Sequence, residues 1–125
     1  MTTATATILL VEDDSLLRHA FRLLLEDAGY RIHEAGTAHE AVESARGETP
    51  DLILLDLGLP DAPGLDVART LRLHEPTQDT PIIALTGRVG VEERRECIEA
   101  GCTSYLTKPI EPKVLIRRLS EFLKA

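Results

Sequence analysis

Short apolar runs alternate with helix-patterned segments from one end of this chain to the other. The strand candidates are 7–11, 31–35, 51–55, 81–86 and 103–107. The helix candidates are 15–28, 37–46, 64–74, 91–100 and 111–124. Strict alternation with short connections leaves parallel strands joined by right-handed crossovers as the consistent architecture. The runs Ile8-Leu9-Leu10-Val11, Leu52-Ile53-Leu54-Leu55 and Ile82-Ile83-Ala84-Leu85 are apolar throughout, the pattern of strands covered on both faces. Arg31-Ile32-His33-Glu34-Ala35 is more polar, as an edge strand is. Strands one, three and four therefore belong at the centre, with two and five outside.

The result is an α/β chain, a doubly wound (βα)5 parallel sheet of order 2-1-3-4-5, which is the flavodoxin-like order. Several boundaries carry their own signals. Thr37 followed by Glu40 is a capping box. Gly29 and Gly101 stand where a helix end wants a left-handed residue. Pro112 suits the first turn of the last helix. Leu115, Leu119 and Phe122 fall on one face of that helix.

A length of 125 residues suits a single domain, 1–125, with a Thr/Ala-rich start at 1–6 that is expected to fray. Aromatic residues make up only 3%, so the core must be aliphatic and base-stacking on nucleic acid is not expected. The net charge of −7 gives phosphate backbones nothing to bind, so no direct nucleic-acid partner is expected. Cys97 and Cys102 match no zinc or redox spacing and read as free thiols of a cytoplasmic protein. The four histidines, His19, His33, His39 and His74, are scattered and form no metal set. The N-terminus lacks the basic flank and apolar segment of a signal peptide, and no stretch approaches membrane-spanning length.

In open parallel sheets ligands bind beyond the carboxyl ends of the strands, so the residues just past each strand define the site. Glu12, Asp13 and Asp14 come after the first strand. Asp56 comes after the third, with Leu57-Gly58-Leu59-Pro60 beyond it. Thr86-Gly87 closes the fourth and Lys108-Pro109 the fifth. Glu12, Asp13 and Asp56 would meet if strands one and three are neighbours. Such a cluster needs a cation, a shared proton or both, because unpaired buried carboxylates are costly. Oxygen donors without sulfur or imidazole point to a hard divalent ion such as Mg²⁺. Each element alone is weak, since Asp56 or Thr86-Gly87 could simply begin a turn. Their conjunction on four strands is specific.

That conjunction resembles the receiver domain of two-component response regulators, over roughly Thr7 to Leu123. It rests on the acidic pair Glu12-Asp13, Asp56, Thr86 with Gly87, Tyr105, Lys108-Pro109 and the stretch DLGLPDAPGLDV. The resemblance implies that Asp56 is the nucleophile that takes a phosphoryl group from a phosphohistidine on a sensor histidine kinase or histidine phosphotransfer protein. It implies Mg²⁺ held by Asp13, Asp56 and the backbone carbonyl of Gly58, with Glu12 acting partly through water. Lys108 would pair with Asp56 and then with the phosphoryl group, and Thr86 and Gly87 would bind the remaining oxygens. Thr86 and Tyr105 would be the switch residues. Their movement would alter the face made by the fourth helix, fifth strand and fifth helix, which would meet a downstream protein target or a second copy. Asp14 would be a neighbour of the site. Leu17 would be a core residue or part of an apolar patch for the kinase. Arg94-Arg95 and Arg117-Arg118 would be solvated, or part of the output surface. Such a chain catalyses only its own phosphorylation and dephosphorylation.

Three other functions fit the residues less well. A haloacid-dehalogenase-like phosphatase needs a second Asp two residues after its nucleophile, and here those places hold Gly58 after Asp56 and Ser15 after Asp13. A flavin mononucleotide carrier needs a neutral glycine- and hydroxyl-rich loop after the first strand, where Glu12-Asp13-Asp14 would repel phosphate. A degenerate docking receiver would not need Asp56, Thr86 and Lys108 together. Neither the kinase nor the output is named by the residues, and a receiver excised from a hybrid kinase would read the same.

Overall fold

A computed structural model describes residues 5–88 and 90–123. The elements are β1 (Thr7–Val11), α1 (Ser15–Asp27), β2 (Arg31–Ala35), α2 (Ala38–Gly47), β3 (Leu52–Asp56), α3 (Gly64–Arg72), β4 (Ile82–Thr86), α4 (Val91–Ala100), β5 (Ser104–Thr107) and α5 (Pro112–Phe122). All strands pair in parallel, in the order β2-β1-β3-β4-β5. Of the start expected to fray, residues 1–4 lie outside the described residues. The carbonyl of Ala6 accepts a hydrogen bond from the Arg31 N–H at 2.9 Å.

Alternation along the central strands divides the core in two. Leu9, Val11, Ile53, Leu55, Ile82 and Ala84 face α2, α3 and α4. Ile8, Leu10, Leu52, Leu54, Ile83 and Leu85 face α1 and α5, where Leu25, Leu115 and Leu119 complete the packing. Every residue of β1, β3 and β4 is buried, as their continuous apolar runs predict. In β2 only Ile32 and Ala35 are buried, which fits its place at the edge. Small residues on α2, namely Ala38, Ala41 and Ala45, allow it to lie close to the sheet and α3.

The helix ends obey local chemistry with some departures. Asp14 caps α1 by accepting from the N–H groups of Leu16 and Leu17 at 3.0 and 3.1 Å. Thr37 caps α2 through the Glu40 N–H at 3.1 Å, but Glu40 reaches back to the N–H of Gly36 rather than that of Thr37. The Asp61 carboxylate adds a cap from the loop after β3, accepting from Ala38 and His39 at 2.7 and 3.0 Å. Gly101 ends α4 at φ +101°, where the N–H groups of Gly101 and Cys102 close onto the carbonyls of Ile98 and Cys97.

The third helix is shorter than the 64–74 expected. It stops at Arg72, and a 3₁₀ turn forms at Glu75–Thr77. Pro76 has no N–H to donate and disfavours helical backbone at the residue before it. The Thr77 hydroxyl seals the break by donating to the Leu71 carbonyl at 2.6 Å. Among the described residues no helix is long and apolar enough to cross a membrane.

Candidate functional site

Parallel pairing of β1 with β3 sets Val11 opposite Leu55, so the residues at the ends of both strands emerge side by side. Carboxylate oxygens of Glu12, Asp13 and Asp56 lie within 4.8 Å of one another. Glu12 is 1% exposed and Asp56 4%, whereas Asp13 opens to solvent. Asp56 is the last residue of β3, one position further into the sheet than the 51–55 strand expected, and it pairs in register with Leu85. The Gly58 N–H donates to Asp56 Oδ1 at 3.3 Å.

One ammonium faces this cluster. Lys108 Nζ lies 3.0 Å from Asp56 Oδ1 and 3.4 Å from Glu12 Oε1. The Lys108–Pro109 bond is cis. The Lys108 N–H donates to the Thr86 carbonyl at 2.7 Å, tying the ends of β4 and β5. Thr86 is 5% exposed, and its hydroxyl oxygen accepts from the Arg88 N–H at 3.0 Å. These groups border an open cleft of about 790 Å³, together with Asp13, Gly58 and Gly87.

The electrostatics arise from burial and crowding. Burial pushes the Glu12 carboxyl up to about 7, and the hydrogen bond and charge of Asp56 add to the rise against the Asp14 N–H and Lys108. Burial alone would depress the Lys108 ammonium, but Asp56 and Glu12 outweigh it and hold its pKa above the usual lysine value. Among the described residues three carboxylates thus face a single ammonium, leaving an excess of negative charge among oxygen donors. This donor set fits a hard dication.

The cleft brings together Glu12, Asp13, Asp56, Gly58, Thr86, Gly87 and Lys108. Tyr105 lies elsewhere. It is half-buried on β5 and borders a groove of about 400 Å³ with Arg94, Ile98 and Arg118. Leu17 is half-buried at the rim of the acidic cleft, while its neighbour Leu16 is 79% exposed and is the more open apolar residue there. Asp14 serves as the α1 cap. Cys97 and Cys102 are free and buried. Burial pushes the Cys102 thiol up to about 12 and also raises that of Cys97.

Two positioning features escape a reading of the sequence. A Cβ at Gly64 would come 2.5 Å from Leu57 Cα and 2.9 Å from the Asp56 carbonyl oxygen, so α3 begins against the backbone of the acidic loop. Arg18 donates to the carbonyl of Glu12 at 2.7 Å. The PDAPG stretch hints at the first feature, but no local signal announces the second.

The chain matches the family model of the response regulator receiver domain over residues 8–120. It is a response regulator receiver domain. The receiver is 39% identical over 118 residues to the phosphate regulon transcriptional regulatory protein PhoB of Pseudomonas aeruginosa, a match covering 94% of this chain and 52% of that protein. It therefore spans about half the length of the curated relatives it matches. The chemotaxis protein CheY4 of Vibrio cholerae superposes with a TM-score of 0.92 at 31% identity, over 96% of the receiver and 100% of that chain. The receiver domain of a Pseudomonas aeruginosa sensor histidine kinase gives 0.89 at 34% identity, over 98% and 100%. That structure holds a magnesium ion coordinated in its active-site cleft. Membership of this family favours a signalling receiver over a dehalogenase-like phosphatase.

Proposed function

We propose that Asp56 is the phosphoacceptor of this receiver. The observation that carries the reading is the Asp56 carboxylate itself, buried at the carboxyl end of central strand β3, 3.0 Å from the Lys108 ammonium and beside the carboxyl pair Glu12-Asp13. A carboxylate oxygen of Asp56 attacks the phosphorus of a phosphohistidine. The P–N bond breaks, the imidazole leaves with the electron pair and takes up a proton, and an acyl phosphate remains on Asp56. The transition state is loose, so placement and charge neutralisation do most of the work. Lys108 neutralises the acceptor first and a phosphoryl oxygen afterwards. The Thr86 hydroxyl and the Gly87 N–H receive the other oxygens. The residues that would hold a Mg²⁺ ion are Asp13, Asp56 and the Gly58 carbonyl, with Glu12 acting partly through water; bound there, the ion would supply neutralisation of the phosphoryl charge.

Thr86 and Tyr105 form the switch, and α4, β5 and α5 present the output face. The phosphodonor is a sensor histidine kinase or a histidine phosphotransfer protein in the cytoplasm. The output face meets a downstream protein or a second copy of this chain. The chain's only catalysis is its own phosphorylation and dephosphorylation. With a net charge of −7 it does not bind nucleic acid directly.

The test is mass spectrometry after incubation with acetyl phosphate and Mg²⁺. A single phosphoryl mass is expected on the wild type and none on Asp56→Asn. An unchanged yield in the variant would overturn the assignment.

A further inference from the structure

The turn that carries the acidic pair is anchored on both sides of Asp13, through the backbone and side chains of Glu12 and Asp14. The Glu12 N–H donates to the Ala35 carbonyl at 3.0 Å. The Asp14 N–H donates to Glu12 Oε2 at 3.3 Å, and the Asp14 carboxylate caps α1. The carbonyl between Glu12 and Asp13 accepts from Arg18 Nη1 at 2.7 Å. Arg18 sits on the first turns of α1, and its guanidinium is itself held. Its Nε donates to Glu34 Oε1 at 3.0 Å, and the other oxygen of Glu34 pairs with Arg22. Gly36 leaves room for it, since a Cβ there would stand 3.1 Å from Arg18 Nη1.

We infer that Arg18 is a positioning residue for the cation site, one that orients the Glu12-Asp13 peptide through its carbonyl. The inference rests on the proposed binding of Mg²⁺ at this site. With the peptide plane held from the β2 side, the Asp13 side chain is directed toward Asp56 across the strand ends. The planar fork does this by bonding a carbonyl and a carboxylate at once, and a lysine ammonium reproduces the charge without that geometry. Groups that orient ligands without touching the metal commonly affect its affinity strongly.

The experiment is calorimetric titration of the metal-free protein with Mg²⁺, beside thermal melts in chelator. Arg18→Ala should weaken Mg²⁺ binding about tenfold. Arg18→Lys should fall between it and the wild type. Glu34→Gln, which loosens the guanidinium, should weaken binding less but in the same direction. Arg22→Ala is the control, because Arg22 shares Glu34 yet does not touch the Glu12 carbonyl. Its melt should shift with little change in Mg²⁺ affinity. An affinity in Arg18→Ala equal to the wild type, whatever its melt, overturns the inference. So does an equal loss in Arg22→Ala, which would mean that only surface charge is felt. If the wild type binds no Mg²⁺, the reading of the site falls and this inference with it; normal wild-type binding with an unaffected Arg18→Ala removes the inference alone.

Discussion

Lys108 and Thr86 sit on neighbouring strand ends, yet they hold different parts of the site. Lys108 faces the carboxylates, whereas the Thr86 hydroxyl is engaged with the backbone that leads toward α4. Lys108→Ala should slow phosphorylation by acetyl phosphate about a hundredfold, since a pre-organised charge at the reacting oxygens is lost. Thr86→Ala should still accept phosphate but lose the response beyond the site. Amide chemical shifts around Tyr105 and α4, with and without beryllofluoride, measure this, and a full response in Thr86→Ala would refute its role as a switch. Glu12 makes a prediction about pH. Its carboxyl titrates near 4.5 when free and at about 7 in the fold. Between those values the folded metal-free protein binds more protons than the unfolded chain, so its stability should fall as pH rises. The contribution is complete below the unfolded value and gone above the folded one, with a slope of at most about 1.4 kcal/mol per pH unit. Denaturant titrations in chelator should show this slope in the wild type and a flatter one in Glu12→Gln.

At the scale of elements, α3 is joined to the site by contact and to α4 by an arginine. Gly64 begins α3 with its N–H donating to the Leu57 carbonyl at 3.2 Å. Gly64→Ala would press a methyl into backbone, which cannot give as a flexible side chain can. We expect a loss of about 1–3 kcal/mol in chemical denaturation. A slower reaction of Asp56 should accompany it, because the displaced backbone includes the Asp56 carbonyl. A variant with wild-type stability and rate would show that the loop yields freely. Arg72 closes the other end of α3 by donating to the carbonyls of Gly101 and Thr77 at 2.8 and 2.9 Å. These bonds tie the 3₁₀ turn and the end of α4 to α3. Burial lowers the Arg72 pKa from its ordinary value without discharging it.

At the scale of the whole molecule, the acidic site stands at the strand ends of a sheet covered by an aliphatic layer on each face. The site crowds three carboxylates at the strand ends, so Mg²⁺ should stabilise the folded chain by mass action. At a hundredfold excess over the dissociation constant the gain is about 2.7 kcal/mol. That should raise the melting temperature by several degrees. Asp13→Ala should abolish the rise, and equal shifts in the wild type and variant would contradict the ligand assignment. The face around α4 and β5 carries different chemistry. Exposed Val91 and Ile98 flank Arg94 and Arg95 on α4, beside the groove of Tyr105 and Arg118. The acidic cleft and the groove beside Tyr105 share α4, whose Cys97 borders both.

Burial on both faces, strand order and the convergence of Glu12, Asp13, Asp56, Gly58, Thr86, Gly87 and Lys108 on one cleft were legible along the chain. Each signal was local: an unbroken apolar run ending in Glu12-Asp13, Asp56 or Thr86-Gly87, or a strand ending in Lys108. The more polar 31–35 segment marked its own edge position for the same reason. Asp61 capping α2, Arg72 bonding Gly101 and Arg18 under the Glu12 carbonyl gave no such signal, and Gly64 against Leu57 was only hinted at by PDAPG. Most of these contacts join segments brought together by the sheet, and a polar residue in a loop or on a helix does not announce its partner. The departure of α3 from 64–74 combined both kinds of cause, with Pro76 visible in the sequence and the Thr77 bond to Leu71 not. The altered titration of Glu12 belongs wholly to the tertiary structure. Its chemistry as a carboxylic acid is ordinary, and only its burial beside Asp56, across the β1-β3 boundary, moves its proton affinity toward neutrality.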